Sequence, residues 1–186
     1  MTLRLQAVLS EADFSLAEMG ALVLDGEVYW VDGCVSPIDQ VPSAENRALS
    51  LRAHVSDRLI AEQHSAAWIW GAIDQPPLRH EVCTDITVRT RPVTVSRITV
   101  REVVISSHEI ITFGGIRLTT PMRTAIDLAR FSLDFESDLD TVAQLMNLGR
   151  FSTQVCEESM NLRRNLPNKV MALARLQRAE RRAGAL

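Results

Sequence analysis

Arg123 and Asp127 lie one helical turn apart, with Thr124 between them and Arg130 beyond, and their spacing is the most suggestive of chemistry in the chain. At i and i+4 on a helix such side chains face each other and can pair. Two readings follow: a helix-surface salt bridge worth about 0.2–0.5 kcal/mol, or part of a charged surface that recognises a partner. The other reactive residue types form no constellation. His54, His64, His80 and His108 are isolated, and none has Cys or His at zinc-ligand spacing. Cys34, Cys83 and Cys156 are far apart and odd in number, which argues against a disulfide framework. Cys83 falls in an expected strand and Cys156 in an expected helix, so both read as buried thiols. Lys169 is preceded by Leu166-Pro167-Asn168 and not by a carboxylate, which argues against an acidic-plus-lysine nuclease. Neighbours such as His64 and Ser65 rarely form the hydrogen bond that activates a serine hydroxyl, so Ser65 reads as a helix cap. No phosphate-binding loop is present. The expectation is a protein that is not an enzyme, with no metal and no cofactor.

The elements that must position these residues are legible from punctuation and periodicity. Gly114-Gly115 forms a tight turn, and Ile116, Leu118 and Thr119 suit a strand. Thr120 caps a helix with Pro121 at its first position, and Met122, Ala125, Ile126 and Ala129 make one face of it apolar. Upstream, Ser15 and Glu18 form a capping box opening a short helix. Asp25-Gly26 is a turn, and Glu27 to Val31 is a strand closed by Asp32-Gly33. Pro37 to Pro42 reads as a linker. Ser43 to about His54 is a helix with Ala44, Ala48, Leu51 and Val55 on one face, Arg58 to Ala61 a short strand, and His64 to Ala72 a helix ending near Gly71. Trp68 and Trp70 cannot share a helical face: one anchors the core and the other is free to serve as a contact aromatic.

From Glu81 to Phe113 the period changes to two. Val82, Thr84, Ile86 and Val88 alternate, and Val93-Thr94-Val95, Ile98-Thr99-Val100 and Val103-Val104-Ile105 follow, broken at Arg91-Pro92. These runs predict antiparallel strands, with Ser107-His108-Glu109 a turn or single helical turn. After Arg130 the chain is helical. Leu139, Val142, Ala143, Leu145 and Met146 face the core of a helix that ends at Gly149. Ser152 caps the next, carrying Val155, Cys156, Met160 and Leu162. After the break at Asn165-Leu166-Pro167-Asn168, Val170, Leu173, Ala174, Leu176 and Gln177 start the last. The expected fold class is α+β: a mixed, mainly antiparallel sheet from the middle of the chain, packed by helices, with a C-terminal helical segment and a small N-terminal helix–wing remnant.

At 186 residues, 46% hydrophobic and 23% charged, the chain can build one main domain with a small appendage. No signal-peptide pattern or bilayer-length apolar run occurs, so a reduced, cytoplasmic protein is expected. Net charge is −3, which excludes a generally nucleic-acid-attracting molecule. The charges are nonetheless segregated: Asp134, Glu136, Asp138 and Asp140 against Arg163, Arg164, Lys169, Arg175, Arg178, Arg181 and Arg182. Such asymmetry marks either a solvated face or a nucleic-acid surface.

Ser65-Ala66-Ala67-Trp68-Ile69-Trp70-Gly71-Ala72, the β-rich middle, and Thr119 to Arg130 with its Thr-Pro-x-Arg-Thr-x-x-Asp-Leu-Ala pattern occur in the order of the AbiEi-like antitoxins. The resemblance spans about residues 43 to 180. It implies an antitoxin of an abortive-infection, type IV toxin–antitoxin system, a phage-defence device common in actinobacteria, neutralising a nucleotidyltransferase-like toxin encoded beside it. It also implies a domain at 43–186, with residues 1–40 a unit resembling a truncated winged helix. Many members repress their own operon through a complete winged helix, and too few residues precede the wing here for one. A related architecture adds a C-terminal very-short-patch-repair nuclease, which is not expected in a chain ending at Leu186. On this reading the partner-binding residues are Arg123, Asp127, Thr120, Ser65, Trp68 and Trp70. The alternative is a DNA-binding transcriptional regulator, with operator DNA held by Arg163, Arg164, Arg175, Arg178, Arg181 and Arg182.

Overall fold

The computed structural model describes residues 7–87 and 97–184. The chain divides into two units, one of residues 1–59 with 112–117 and the other of 60–111 with 118–186. The helix capped by Ser43 belongs to the first of these units.

In that unit, helix α1 (Leu16–Leu24) begins with the expected capping box, in which the Ser15 backbone N–H donates to Glu18 Oε2 at 2.8 Å. Strands β1 (Val28–Val31) and β2 (Cys34–Pro37) form an antiparallel hairpin with Val31 opposite Cys34. Its two-residue turn, Asp32-Gly33, has φ of 47° and 76°, the positive pair that matches hairpin twist. Strand β2 runs up to Pro37, where the sequence pattern predicts the start of a linker. A small core of Leu9, Met19, Val28 and Val35 holds the unit, and α2 (Ala44–Arg52) is capped by Ser43.

The larger unit carries most of a five-stranded mixed sheet, ordered β5-β4-β3-β7-β6, from β3 (Ile60–Ala61), β4 (His80–Asp85), β5 (Ile98–Val103), β6 (Ile110–Phe113) and β7 (Ile116–Thr119). The α+β class and the mixed sheet are as expected. One pairing is not: β4 and β5 run parallel, His80 opposite Ile98 through Asp85 opposite Val103. Alternation of side chains is the same in either direction, so periodicity could not distinguish them. The connection, residues 86–97, has the length that a parallel crossover requires. Val88, Val93-Thr94-Val95 and the Arg91-Pro92 break lie outside the described residues.

The helices of this unit are α3 (Gln63–Trp70), α4 (Pro121–Phe131), α5 (Phe135–Gly149), α6 (Thr153–Asn161) and α7 (Lys169–Ala183). Helix α4 packs against α3, α5 and α7, in a core that includes Ala125, Leu128, Val142, Leu145, Met160 and Leu176. Thr120 caps α4, accepting from the Arg123 N–H, and Pro121 occupies its first position. Two expectations shift. The left-handed residue after α5 is Arg150, φ 51°. Gly149 is small for a packing reason, since a Cβ there would stand 2.6 Å from the Phe151 ring. Helix α7 buries Ala172, Leu176 and Ala179 and leaves Val170 exposed, a face rotated from the one the apolar pattern suggested.

A buried arginine–carboxylate network and the pocket beside it

The turn–strand–helix stretch places Arg123 and Asp127 inside the larger unit. Arg123 Nε donates to Asp127 Oδ2 at 2.9 Å, and the two side chains are only 4% and 0% exposed. The pair is therefore neither a surface salt bridge nor an exposed patch. Asp127 also accepts from Arg101 Nη2 and from Arg130 Nη1, each at 3.2 Å. Arg101 grips Glu62 with Nε at 2.9 Å and Nη2 at 2.6 Å, the bidentate geometry that suits guanidinium and carboxylate. On the other side, Arg123 Nη1 reaches both oxygens of Glu109 at 3.2 Å, and Arg163 pairs with Glu109 as well. Four arginines and three carboxylates from α3's cap, β5, the 3₁₀ turn, α4 and α6's end are thereby joined.

Local sequence explains how each member arrives. Ser107–Glu109 is a single 3₁₀ turn with its own capping box, and the Ser106 N–H donates to Glu109 Oε2 at 2.9 Å. Sheet register sets Ile60 opposite Cys83 and Cys83 opposite Arg101, bringing Arg101 next to the start of α3. Burial opposes ionisation of Glu109, yet the Ser106 N–H, Arg123 and Arg163 outweigh it and hold its pKa below the usual value. At Glu62 burial prevails over Arg101 and raises the pKa. Burial lowers that of Arg130 despite Asp127, and Arg123, Arg101 and Arg163 add repulsion. With four arginines on three carboxylates, the cluster carries one formal positive charge in excess.

Against it opens a cavity of about 470 Å³, with Arg101, Arg123, Arg130, Arg163 and Arg164 in its wall. Glu102, Val103, Val104, Phe131, Asn165, Leu166 and Pro167 complete the lining. The guanidiniums of Arg101 and Arg130 each lie 4.4 Å from the Phe131 ring centroid, a stacking that fixes their planes. Arg130 Nε donates to Pro167 O at 3.1 Å, tying the loop before α7 to α4.

The other expected site residues are distributed differently. Ser65 is wholly buried and is not the cap of α3. The N-cap is Glu62, which makes no side-chain capping bond because its carboxylate is engaged by Arg101. Ser65 Oγ accepts from the Glu81 N–H at 2.9 Å and shares a hydrogen bond with His80 Nδ1 at 3.1 Å, in a spot with no access for a substrate. Glu81 instead caps α3 from across the sheet, its Oε2 accepting from the His64 N–H at 2.9 Å. His64 is clamped between Glu81 and Asp138, both at 2.8 Å. Those two hydrogen bonds, Asp138 first, push its pKa up to about 10 against burial. Trp68 anchors the core at 2% exposure, and the half-buried Trp70 donates to Thr119 O at 2.9 Å. Cys34, Cys83 and Cys156 are free, buried thiols, and burial raises the pKa of each.

The segregated charges of the C-terminal helices answer one another. Arg178 pairs with Glu136 at 2.8 Å and Arg182 with Asp140 at 2.6 Å, while Arg175 donates to Ala129 O and Ser132 O at 3.0 and 3.1 Å, closing the last carbonyls of α4. Three of the six arginines expected to hold DNA are thus engaged within the chain, and Arg163 is engaged with Glu109. Arg164 is exposed and makes no ion pair among the described residues. Sequence reasoning missed Glu62 and Arg101. The signal available was a charge inside the β-branched run Ile98 to Val103, two residues from Val103 and so on its buried face.

Residues 59–179 match the model of the AbiEi antitoxin C-terminal domain, and the chain belongs to that family. The matched segment contains the whole network and pocket. Among solved structures, the Rv2827c protein from Mycobacterium tuberculosis is similar at 14% identity, with 94% of this chain and 72% of that chain covered and a TM-score of 0.49. No curated protein matches the chain significantly. Among the described residues, no helix is long and apolar enough to cross a membrane.

Proposed function

We propose that the chain is the antitoxin of a type IV system and neutralises a nucleotidyltransferase-like toxin encoded next to it, in the cytoplasm of its host. The observation that carries the reading is the family match over residues 59–179. The expected partner-binding residues Arg123, Asp127, Thr120, Ser65, Trp68 and Trp70 act from beneath the surface: they set the position of α3 and α4 and of the exposed residues around them. Direct contact falls to neighbours of the network that reach solvent, such as Arg164 and Leu162, the latter 85% exposed. An aliphatic side chain beside a cation suits an interface with an acidic partner surface.

Co-expression with the neighbouring toxin gene tests the reading. The expected result is restored growth and a complex that co-purifies, weakened by Arg164→Glu and Leu162→Asp at unchanged melting temperature. Absence of both rescue and complex overturns it. The regulator alternative loses part of its free basic surface to the pairing of Arg175, Arg178 and Arg182 within the chain. It would regain support only from binding to its own upstream DNA that falls steeply with salt.

A further inference from the structure

The arginine-lined cavity is built like a binding site. An unpaired guanidinium nitrogen is costly in a dry interior, and the free nitrogens of this network are not sealed from solvent. Here three of the arginines are each held at two nitrogens and keep the third without a partner. Among the described residues, Arg101 Nη1, Arg123 Nη2 and Arg130 Nη2 make no hydrogen bond, although their other nitrogens are fixed by Glu62, Asp127, Glu109 and Pro167 O. Carboxylates behind them and stacking on Phe131 hold the guanidinium planes rigid. Rigid forks with unused donors beside one cavity are the arrangement that recognises oxyanions. Five arginines, Arg164 included, outnumber the four carboxylates Glu62, Glu102, Glu109 and Asp127, so one positive charge is left for an anion to neutralise.

Volume and lining narrow the class. About 470 Å³ lies within the usual range for small-molecule sites, far beyond one inorganic phosphate. Val104, Phe131 and Leu166 offer apolar wall beside the donors, which calls for a ligand with an organic body attached to its charged group. We infer that the pocket between β5, α4 and the α6–α7 loop binds a small organic phosphate of about nucleotide size, its phosphate on Arg101, Arg123, Arg130 and Arg164 and its organic part against Val104 and Leu166. The toxin reading is not required for this: binding is a property of this chain alone and is measured with no toxin present.

The test is isothermal titration of the full chain with AMP, with ATP and with inorganic phosphate, each at low and high salt. The expected result is saturable binding of AMP or ATP that weakens with salt and exceeds that of inorganic phosphate. Arg164→Ala, which removes an exposed residue with no ion pair among the described residues, lowers affinity by about tenfold or more, the scale of one charge-assisted hydrogen bond, and leaves the melting temperature unchanged. Leu166→Asp weakens AMP by a similar factor. Absence of binding by both nucleotides overturns the inference. So does inorganic phosphate binding as tightly as AMP, or affinity indifferent to both substitutions.

Discussion

Two sets of arginine–carboxylate pairs in the larger unit use the same chemistry under opposite conditions. Between α5 and α7, Arg178–Glu136 and Arg182–Asp140 lie with 44–70% of each side chain in solvent. Around α4, Arg123, Asp127 and Glu109 are almost wholly enclosed. Distances are similar, so geometry does not separate them; the surrounding medium does. Exposed pairs exchange good hydration for a screened attraction and contribute about 0–1 kcal/mol. In the interior each partner has lost its water, and removal of one leaves the others charged and unsolvated. Buried charge therefore constrains which arrangement the core can adopt, while the exposed pairs do little more than keep two helices soluble and aligned.

The sharpest way to break this comparison is Asp127→Ala. It strands Arg101, Arg123 and Arg130 around an empty position and is expected to cost about 3–5 kcal/mol, read by urea denaturation and nearly independent of salt. A loss below about 1 kcal/mol would place the network with the surface pairs.

His64 is the intermediate case, about one-third exposed between two carboxylates. Its pKa is raised from 6.5 to about 10 in the folded chain, so folding favours the protonated ring. Its contribution is complete below pH 6.5 and declines as pH rises towards 10. A melting temperature that falls over that window in the wild type, and less so in His64→Gln, is expected. Near neutral pH the substitution costs roughly 1–2 kcal/mol after allowance for solvent screening. Identical pH profiles for the two proteins would remove the imidazolium from the account.

Thr120→Ala should cost about 1 kcal/mol, the worth of a helix cap. Because Thr120 sets where α4 begins, Thr120→Ser is expected to recover most of that loss in the same thermal melt. The smallest effect belongs to Arg178→Ala combined with Arg182→Ala, at most about 1 kcal/mol and vanishing in high salt. A large, salt-insensitive loss there would erase the contrast between the two regions.

Much of the local structure was legible in advance because its causes are local. Thr120-Pro121, Ser15 with Glu18, Ser43, Ser152 and Gly114-Gly115 each determine the backbone within a few residues through a hydrogen bond or a permitted φ. The alternation through β4 and β5 was equally plain. Their relative direction was not, since a parallel and an antiparallel strand show the same pattern. Ser65 misled for a related reason: it has the right residue type near a helix start, but the cap of α3 comes from Glu81 across the sheet.

By itself, then, the sequence determined the α+β class, the ends of most helices and the Arg123–Asp127 pairing, all consequences of interactions spanning one turn or one strand. Tertiary structure alone decided that this pair is buried, that Glu62, Arg101, Glu109, Arg130 and Arg163 join it, and that a pocket opens beside them. Those outcomes depend on burial and on contacts between residues far apart in the chain. The strength of a charge pair follows from the medium around it, and no spacing in a sequence specifies that medium.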